Sequence, residues 1–308
     1  MTSRLMLLDT ASMYFRAFYG VPDSFKAPDG TPVNAVRGLL DFISRLVTDY
    51  RPTHLVCCWD NDWRPQWRVD LIGSYKAHRV EYVVAGAPDV EEVPDPLEVQ
   101  VPVILDVLAA FGITVVGADG YEADDVIGTL SQDAGMPVDV VTGDRDLFQL
   151  VDDDAEVRIL YIARGVGRHE RVTNSVVQEK YGIDGAQYAD FAALRGDASD
   201  GLPGVNGIGE KTAATLLQRF RDIPGLRAAA LDPDSNIAPS PRRKIIEAGD
   251  YPEVAAHVTR VARDIDLGDR DLTLPLTPVD PDALVALSER WNLESPIARL
   301  VETLTSLR

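Results

Sequence analysis

Apolar residues fall into two rhythms along this chain of 308 residues. Short unbroken runs, Arg4 to Leu8 and His54 to Trp59, have the length and density of strands buried on both faces, and each stops at an acid, Asp9 and Asp60. Two further β-rich runs cover Ile113 to Val116 and Val138 to Thr142. Between them the spacing turns helical, over Val33 to Tyr50, Pro96 to Phe111 and Glu122 to Ala134. Strand and helix in alternation predict an α/β domain with a central, mainly parallel sheet and flanking helices. Sites in such sheets form beyond the carboxyl ends of the strands, where Asp9, Asp60 and Gly143-Asp144-Arg145-Asp146 would then lie. The pattern alone therefore predicts an acidic rim.

From Thr173 onward the pattern becomes almost wholly helical, punctuated by Gly182, Gly196, Gly201-Leu202-Pro203-Gly204 and Gly207-Ile208-Gly209. A proline-spaced connector, Pro275 to Pro281, precedes two short helices, Pro281 to Trp291 and Pro296 to Leu304, expected to pack back on the body. The expected division is an α/β domain over residues 1–175 and an all-helical module over 176–308. Tyr75 to Pro96 keeps no clean period and is expected to be a long mobile segment over the site. Neither an internal repeat nor a low-complexity tract interrupts this reading.

Hydrophobic residues make up 45% of the chain, enough for a sizeable core. Cys57 and Cys58 are neighbours in one strand, so they should point to opposite faces as reduced core residues of a cytoplasmic protein. Asp9 interrupts the apolar start, and no run approaches the roughly 20 residues of a membrane helix, so neither signal peptide nor membrane contact is expected. The net charge of -19 runs against nucleic-acid binding, which normally needs an excess of Lys and Arg. Placement of the acids matters more than their number.

Glu122-Ala123-Asp124-Asp125 opens a helix. One acid there complements the helix dipole, but three within four positions exceed what capping needs and repel one another unless a cation intervenes. Asp144 and Asp146 stand two apart after a strand, and Asp197 and Asp200 three apart in a turn; each pair alone has an ordinary turn explanation. Together with Asp9 and Asp60 they make an oxygen-only set of nine, which favours Mg²⁺ or Mn²⁺ over zinc. The four histidines, His54, His78, His169 and His257, are too scattered for a zinc site. Gly207-Ile208-Gly209 runs into a helix carrying Lys211, a geometry that offers backbone N–H groups to phosphate or simply makes a tight turn.

In their order, LLDTASMYFRAFY, CCWDND, GSYKAHR, GYEADDVIGTL, TGDRDLFQLV and GDASDGLPGVNGIGEKTA resemble the flap endonuclease or 5′-3′ exonuclease family, which includes the nuclease domain of bacterial DNA polymerase I. The resemblance runs from Leu7 to about Trp291. It implies a 5′-nuclease, PIN-like fold with a helical arch over about 63–96 and a helix-two-turn-helix near 184–220. It implies at least two divalent ions, one among Asp9, Asp60, Glu122 and Asp124 and one among Asp144, Asp146, Asp197 and Asp200, with Asp125 belonging to the cluster through water. Two such ions roughly 4 Å apart serve an in-line displacement by water. Lys76 and Arg79 would stabilise the phosphoryl charge and Tyr75 would stack on an unpaired base. Arg68, Gly207, Gly209 and Lys211 would contact DNA, with K⁺ at the turn.

The implied function is hydrolysis of DNA at a 5′ flap, nick or free 5′ end, giving 5′-phosphate and 3′-hydroxyl. The expected setting is replication and repair: a free-standing monomer, cytoplasmic and nucleoid-associated, with a DNA polymerase as partner. The chain departs from the family pattern at Arg195, at Gly201, at the spacing of Arg68 from Asp60, and at Val80 to Asp95, which is acidic and apolar where a basic arch is expected. Two other readings stay open on the residues alone: a non-catalytic DNA-binding scaffold, and an acidic-rim phosphatase.

Overall fold

The computed structural model describes residues 3–82 and 89–308. At its centre β1 (Leu5–Asp9) has all five residues buried, as expected of a strand covered on both faces. It pairs in parallel with β2 (His54–Cys58), Leu5 opposite His54 and Asp9 opposite Cys58, and on its other side with β6 (Val138–Thr142). With β5 (Thr114–Val116), β7 (Val157–Tyr161) and β8 (Glu170–Val172) these make a six-stranded sheet in the order β5-β2-β1-β6-β7-β8. Within this sheet, among the described residues, only β7 and β8 run antiparallel. A separate two-stranded ribbon joins β3 (Val80–Tyr82) and β4 (Val90–Glu91).

Helices α1 (Thr10–Gly20), α2 (Asn34–Tyr50), α3 (Gln66–Leu71), α4 (Asp95–Glu98), α5 (Val101–Phe111) and α6 (Ala123–Ser131) belong to the first half. In α2 the buried residues Val36, Leu39, Leu40, Ile43 and Val47 recur every three or four positions, a stripe that packs on the sheet. The helix expected over Pro96 to Phe111 is two pieces: Pro102, which has no N–H to donate, stands in the first turn of the second, and Gln100 is its N-cap residue. Its buried Oε1 accepts the α2 amides of Ala35 (2.8 Å) and Val36 (3.4 Å), which lack a local cap. Cys57 and Cys58 are buried free thiols in separate core clusters, one on each face of the sheet.

The second half contains α7 (Asn174–Tyr181), α8 (Tyr188–Arg195), α9 (Glu210–Phe220), α10 (Ile223–Leu231), α11 (Pro239–Glu247) and α12 (Tyr251–Thr259). The chain then returns along the sheet, where Leu55 N–H donates to the Leu272 carbonyl and Leu274 N–H to that of Thr53. It ends in α13 (Pro281–Trp291) and α14 (Glu294–Thr305). Ile297, Leu300 and Leu304 of α14 share a core cluster with Leu39, Ile43 and Val47 of α2. Each such side chain contributes about 1.5–3 kcal/mol on burial.

The helical arch is a correction. Among the described residues of 63–96 there is a short α3, a 3-10 turn at Ala77–Arg79 and the β3-β4 ribbon, with no long helix. β-branched residues on either side of Ala-Gly-Ala-Pro favour paired strands over a helix. Residues 83–88, the middle of the segment expected to be mobile, lie outside the described residues. Among the described residues no helix is long and apolar enough to cross a membrane.

Candidate active site

Parallel register brings the strand-end acids to one pole. Asp9 ends β1 and caps α1: one carboxylate oxygen accepts from Ser12 N–H (3.1 Å), the other from the Thr142 hydroxyl at the end of β6 (2.6 Å). Asp60, just past β2, accepts from Ala123 N–H at the head of α6 (2.8 Å). Thr142 also accepts from Asp144 N–H, and Asp144 accepts from Asp146 N–H, both at 2.9 Å, so the turn after β6 is built from its own polar side chains. Asp9, Asp60, Glu122, Asp124 and Asp144 line a cavity of about 370 Å³, together with Lys76, Arg79, Phe15, Trp63 and Glu91.

Asp146, Asp197 and Asp200 stand beside this cavity, close enough to perturb one another. Burial first, then repulsion from Asp144, Asp200 and Asp197, holds Asp146 well above the carboxylate range. Burial pushes Asp200 up to about 6 against the pull of Lys76. At the other end of the cavity burial pushes Asp9 up to about 7, with the Thr142 bond opposing and Asp60 and Asp144 adding repulsion. Asp124 is raised further by burial and by Asp9, Asp144 and Glu122.

Among the described residues no three acidic, imidazole or thiolate groups are gathered tightly enough to cage an ion. The acids crowd one pole but stand apart. Their chemistry nevertheless fits hard divalent cations: every donor is oxygen, burial first and then mutual repulsion raise the carboxyl pKa values, and a buried Asp146 oxygen, Oδ1, has no hydrogen-bond partner.

Glu122 is fully engaged. One oxygen accepts from the Tyr75 hydroxyl (2.7 Å) and Arg68 (3.1 Å), the other from the Lys76 ammonium. Burial works against the charge on Lys76, but Glu122 and further acids hold its pKa well above the usual lysine value. Arg79 bonds the Ser199 carbonyl (2.8 Å) and reaches Asp200 at 3.5 Å.

Three expectations are corrected here. Tyr75 is only 3% exposed and spends its hydroxyl on Glu122, so it cannot stack on a base. Arg68 is 2% exposed and cannot reach DNA; it pairs with Glu122 and Asp125 and donates to the Val258 carbonyl. Asp125, 0% exposed, turns away from the cavity: both its oxygens accept from Arg68, and it also accepts from the N–H groups of Glu122 and Ala262. Helical periodicity explains the split, since adjacent positions on α6 differ by about 100° and Asp124 takes the cavity side.

Two departures from the family pattern acquire causes. Arg195 reaches Asp197 at 3.2 Å, and Asp197 also accepts from Ser199 N–H (2.9 Å) and its hydroxyl. Gly201 has φ +70°, and a Cβ there would sit 2.2 Å from the Ser74 carbonyl oxygen, so no larger residue fits without moving the loop. Ser74 donates to the Gly201 carbonyl and Lys76 N–H to that of Asp200, strapping this loop to the segment that carries Lys76.

The sequence reading missed Arg64, Trp63 and Glu91. Arg64 donates to the carbonyls of Tyr75 (2.6 Å) and Gly73 (3.1 Å) and pairs with Asp89, whose carbonyl accepts from the Trp63 indole (2.8 Å). This latch seats β4, and with it Glu91, in the cavity wall. The strand pairing was the missing information; no local motif signals it.

Between α8 and α9 the chain makes two turns. Gly209 precedes α9 without a side-chain cap, and Lys211 is exposed in its first turn. Lys244 of α11 donates to the Gly207 carbonyl (2.7 Å), so a tethered ammonium already contacts the turn for which K⁺ was expected. Arg242, also in α11, holds the carbonyls of Ala230 and Asp232.

Residues 4–182 match the model of the 5′-3′ exonuclease N-terminal resolvase-like domain, and 183–282 that of the 5′-3′ exonuclease C-terminal SAM fold. A 5′-3′ exonuclease of Streptomyces coelicolor is 62% identical over 98% of this chain and 100% of its own. DNA polymerase I of Mycobacterium bovis is 38% identical over 98% of this chain but only 32% of that protein. Among solved structures, the bacteriophage T5 flap endonuclease in a pseudo-enzyme-product complex with DNA and metal ions shares the fold, with TM-score 0.61 and 17% identity over 98% of this chain and 99% of that one. With both family models matched in sequence order and a full-length relative at this identity, the chain belongs to the 5′-3′ exonuclease family.

Proposed function

We propose that this nuclease hydrolyses phosphodiesters at 5′ ends and 5′ flaps of DNA, leaving a 5′-phosphate and a 3′-hydroxyl, with Mg²⁺ or Mn²⁺ as cofactor. The observation that carries the reading is the cavity at the carboxyl pole of the sheet, where six carboxylates face Lys76 and Arg79. Asp9, Asp60, Glu122 and Asp124 would hold one ion, and Asp144, Asp146, Asp197 and Asp200 a second. When bound, such ions supply Lewis-acid charge to the attacking water and the departing oxygen.

The protein's own contribution is placement. Lys76, released from Glu122, would meet a non-bridging phosphoryl oxygen, and Arg79, already at the cavity mouth, a second. Phe15 and Trp63 wall the cavity and limit water around the scissile bond. The exposed head of α9, with Gly207, Gly209 and Lys211, would grip one strand through backbone N–H groups and a single ammonium. Such local contacts tolerate an acidic net charge.

A labelled 5′-flap duplex incubated with Mg²⁺ or Mn²⁺, with products mapped against nicked and single-stranded substrates, tests this directly. Metal-dependent release of a 5′-phosphorylated product is expected. Folded protein that binds duplex without cutting it would favour the scaffold reading instead.

A further inference from the structure

Arg68 joins three parts of the molecule. Its Nε donates to the Val258 carbonyl in α12 at 2.9 Å. One terminal nitrogen reaches Glu122 (3.1 Å) and Asp125 (2.7 Å); the other reaches Asp125 (2.8 Å) and, at 3.5 Å, the carbonyl of Arg260. The side chain therefore ties α3, the head of α6 and the end of α12 together through one planar fork. Asp125 tightens the junction by accepting from Ala262 N–H at 2.8 Å, so the chain leaving α12 is gripped from both sides. Charge is balanced within it: Arg68 and Lys76 face Glu122 and Asp125.

We infer that Arg68 is a positioning residue, which fixes Glu122 against Lys76 and couples the seating of the helical module to the geometry of the catalytic cavity. This rests on the hydrolysis proposed above. Glu122 has three donors, and Arg68 is the one whose side chain also hydrogen-bonds the helical module, at the carbonyls of Val258 and Arg260. Without it, Glu122 keeps only Lys76 and Tyr75, and Asp125 is left as a buried charge without its counter-ion. Lysine in its place restores the charge but not the fork, which binds a carboxylate with two parallel N–H groups while holding a carbonyl with a third. A displaced Glu122 carries Lys76 with it, and small displacements of reacting groups pass strongly into rate. The turn at Gly207 to Lys211 shares no hydrogen bond with Arg68, so duplex affinity has no reason to change with it.

The test compares full-length wild type, Arg68→Lys and Arg68→Ala in single-turnover cleavage of a labelled 5′-flap duplex, in duplex affinity by fluorescence anisotropy in EDTA, and in thermal unfolding. For Arg68→Lys the rate should fall roughly 100-fold, the scale of a misplaced reacting group, while the dissociation constant in EDTA stays within about two-fold. Guanidinium below denaturing concentration should restore most of the rate lost in Arg68→Ala, and sodium chloride at equal ionic strength should not. Arg260→Ala, which removes an ion pair with Asp190 in the same region, serves as the structural control: it should lower the unfolding midpoint and keep the rate.

An unchanged rate in Arg68→Lys overturns the inference. So does a loss of affinity in step with the loss of rate, or an equal rate loss in Arg260→Ala. If Arg68→Ala does not fold, Arg68→Lys carries the test alone. Wild-type protein that binds duplex but never cleaves it removes the hydrolysis reading itself, which is a separate failure.

Discussion

Asp9, Asp60 and Glu122 spend their oxygens on partners from five places: the α1 backbone, Thr142, the head of α6, Arg68 of α3, and the segment carrying Tyr75 and Lys76. Across the cavity Asp146 keeps a buried oxygen that has no hydrogen-bond partner. One group of acids is held in shape by the fold itself, with cations and hydroxyls already standing against it; in the other, Arg195, Ser199 and Arg79 reach Asp197 and Asp200 but Asp146 is left incomplete. The difference teaches where a divalent ion matters most for structure. It should complete the Asp144–Asp146 side and merely displace existing partners on the Glu122 side.

The largest effect should come from neutralising either group. Asp124→Asn and Asp146→Asn are each expected to reduce cleavage of a flap duplex at least about 1000-fold, roughly 4 kcal/mol of transition-state stabilisation, with far-UV circular dichroism unchanged. Wild-type rates in Asp146→Asn would remove the second group from the chemistry. Divalent ion alone should raise stability by about 2.7 kcal/mol at a hundred times its dissociation constant, read as a shift in thermal midpoint. That shift should shrink more in Asp146→Asn than in Glu122→Gln if the comparison above holds; equal shifts would break it.

Smaller effects follow from the raised carboxylates. Burial raises Asp9 to about 7 and Asp200 to about 6 in the folded protein, above the ordinary aspartate value of 3.8. Between about pH 4 and 7 the folded state therefore holds protons that the unfolded chain has released, and its stability falls as pH rises through that window. Metal-free protein should unfold more easily at about pH 8 than at about pH 5.5, by roughly 1–2 kcal/mol. Asp124→Asn should recover a similar amount at the higher pH, losing activity while gaining stability. A flat pH profile in EDTA would mean that the repulsion is already relieved. Smallest, Lys211→Ala should weaken duplex binding a few-fold and lower the slope of log affinity against log salt by about one, leaving both acid groups untouched.

The sheet and its acidic rim were legible because the informative signals are local: an apolar run that stops at an acid, or three acids opening a helix. β6 was bounded correctly at Val138–Thr142, and α13 at Pro281–Trp291. β7 and β8 passed unread although Val157–Tyr161 is apolar enough, because acids crowd the turn before it. Misjudged residues share a different cause. Arg68, Tyr75 and Asp125 are polar groups whose partners lie far away in sequence, and a charged residue's burial depends on those partners rather than on its neighbours in the chain. The ribbon was unreadable for the same reason: β3 gains strand character only by pairing with β4 across residues 83–88.

The docking of α14 on α2 also sets an order of events during synthesis. One layer over the sheet is finished by side chains from the last helix, and the whole helical half of the chain is made before that helix emerges. A ribosome-bound intermediate thus carries its acidic pole early but an open flank opposite α2, and such late, non-local closure slows final consolidation. Mature rigidity, and with it a dependable cutting geometry, waits for α14 to dock on α2.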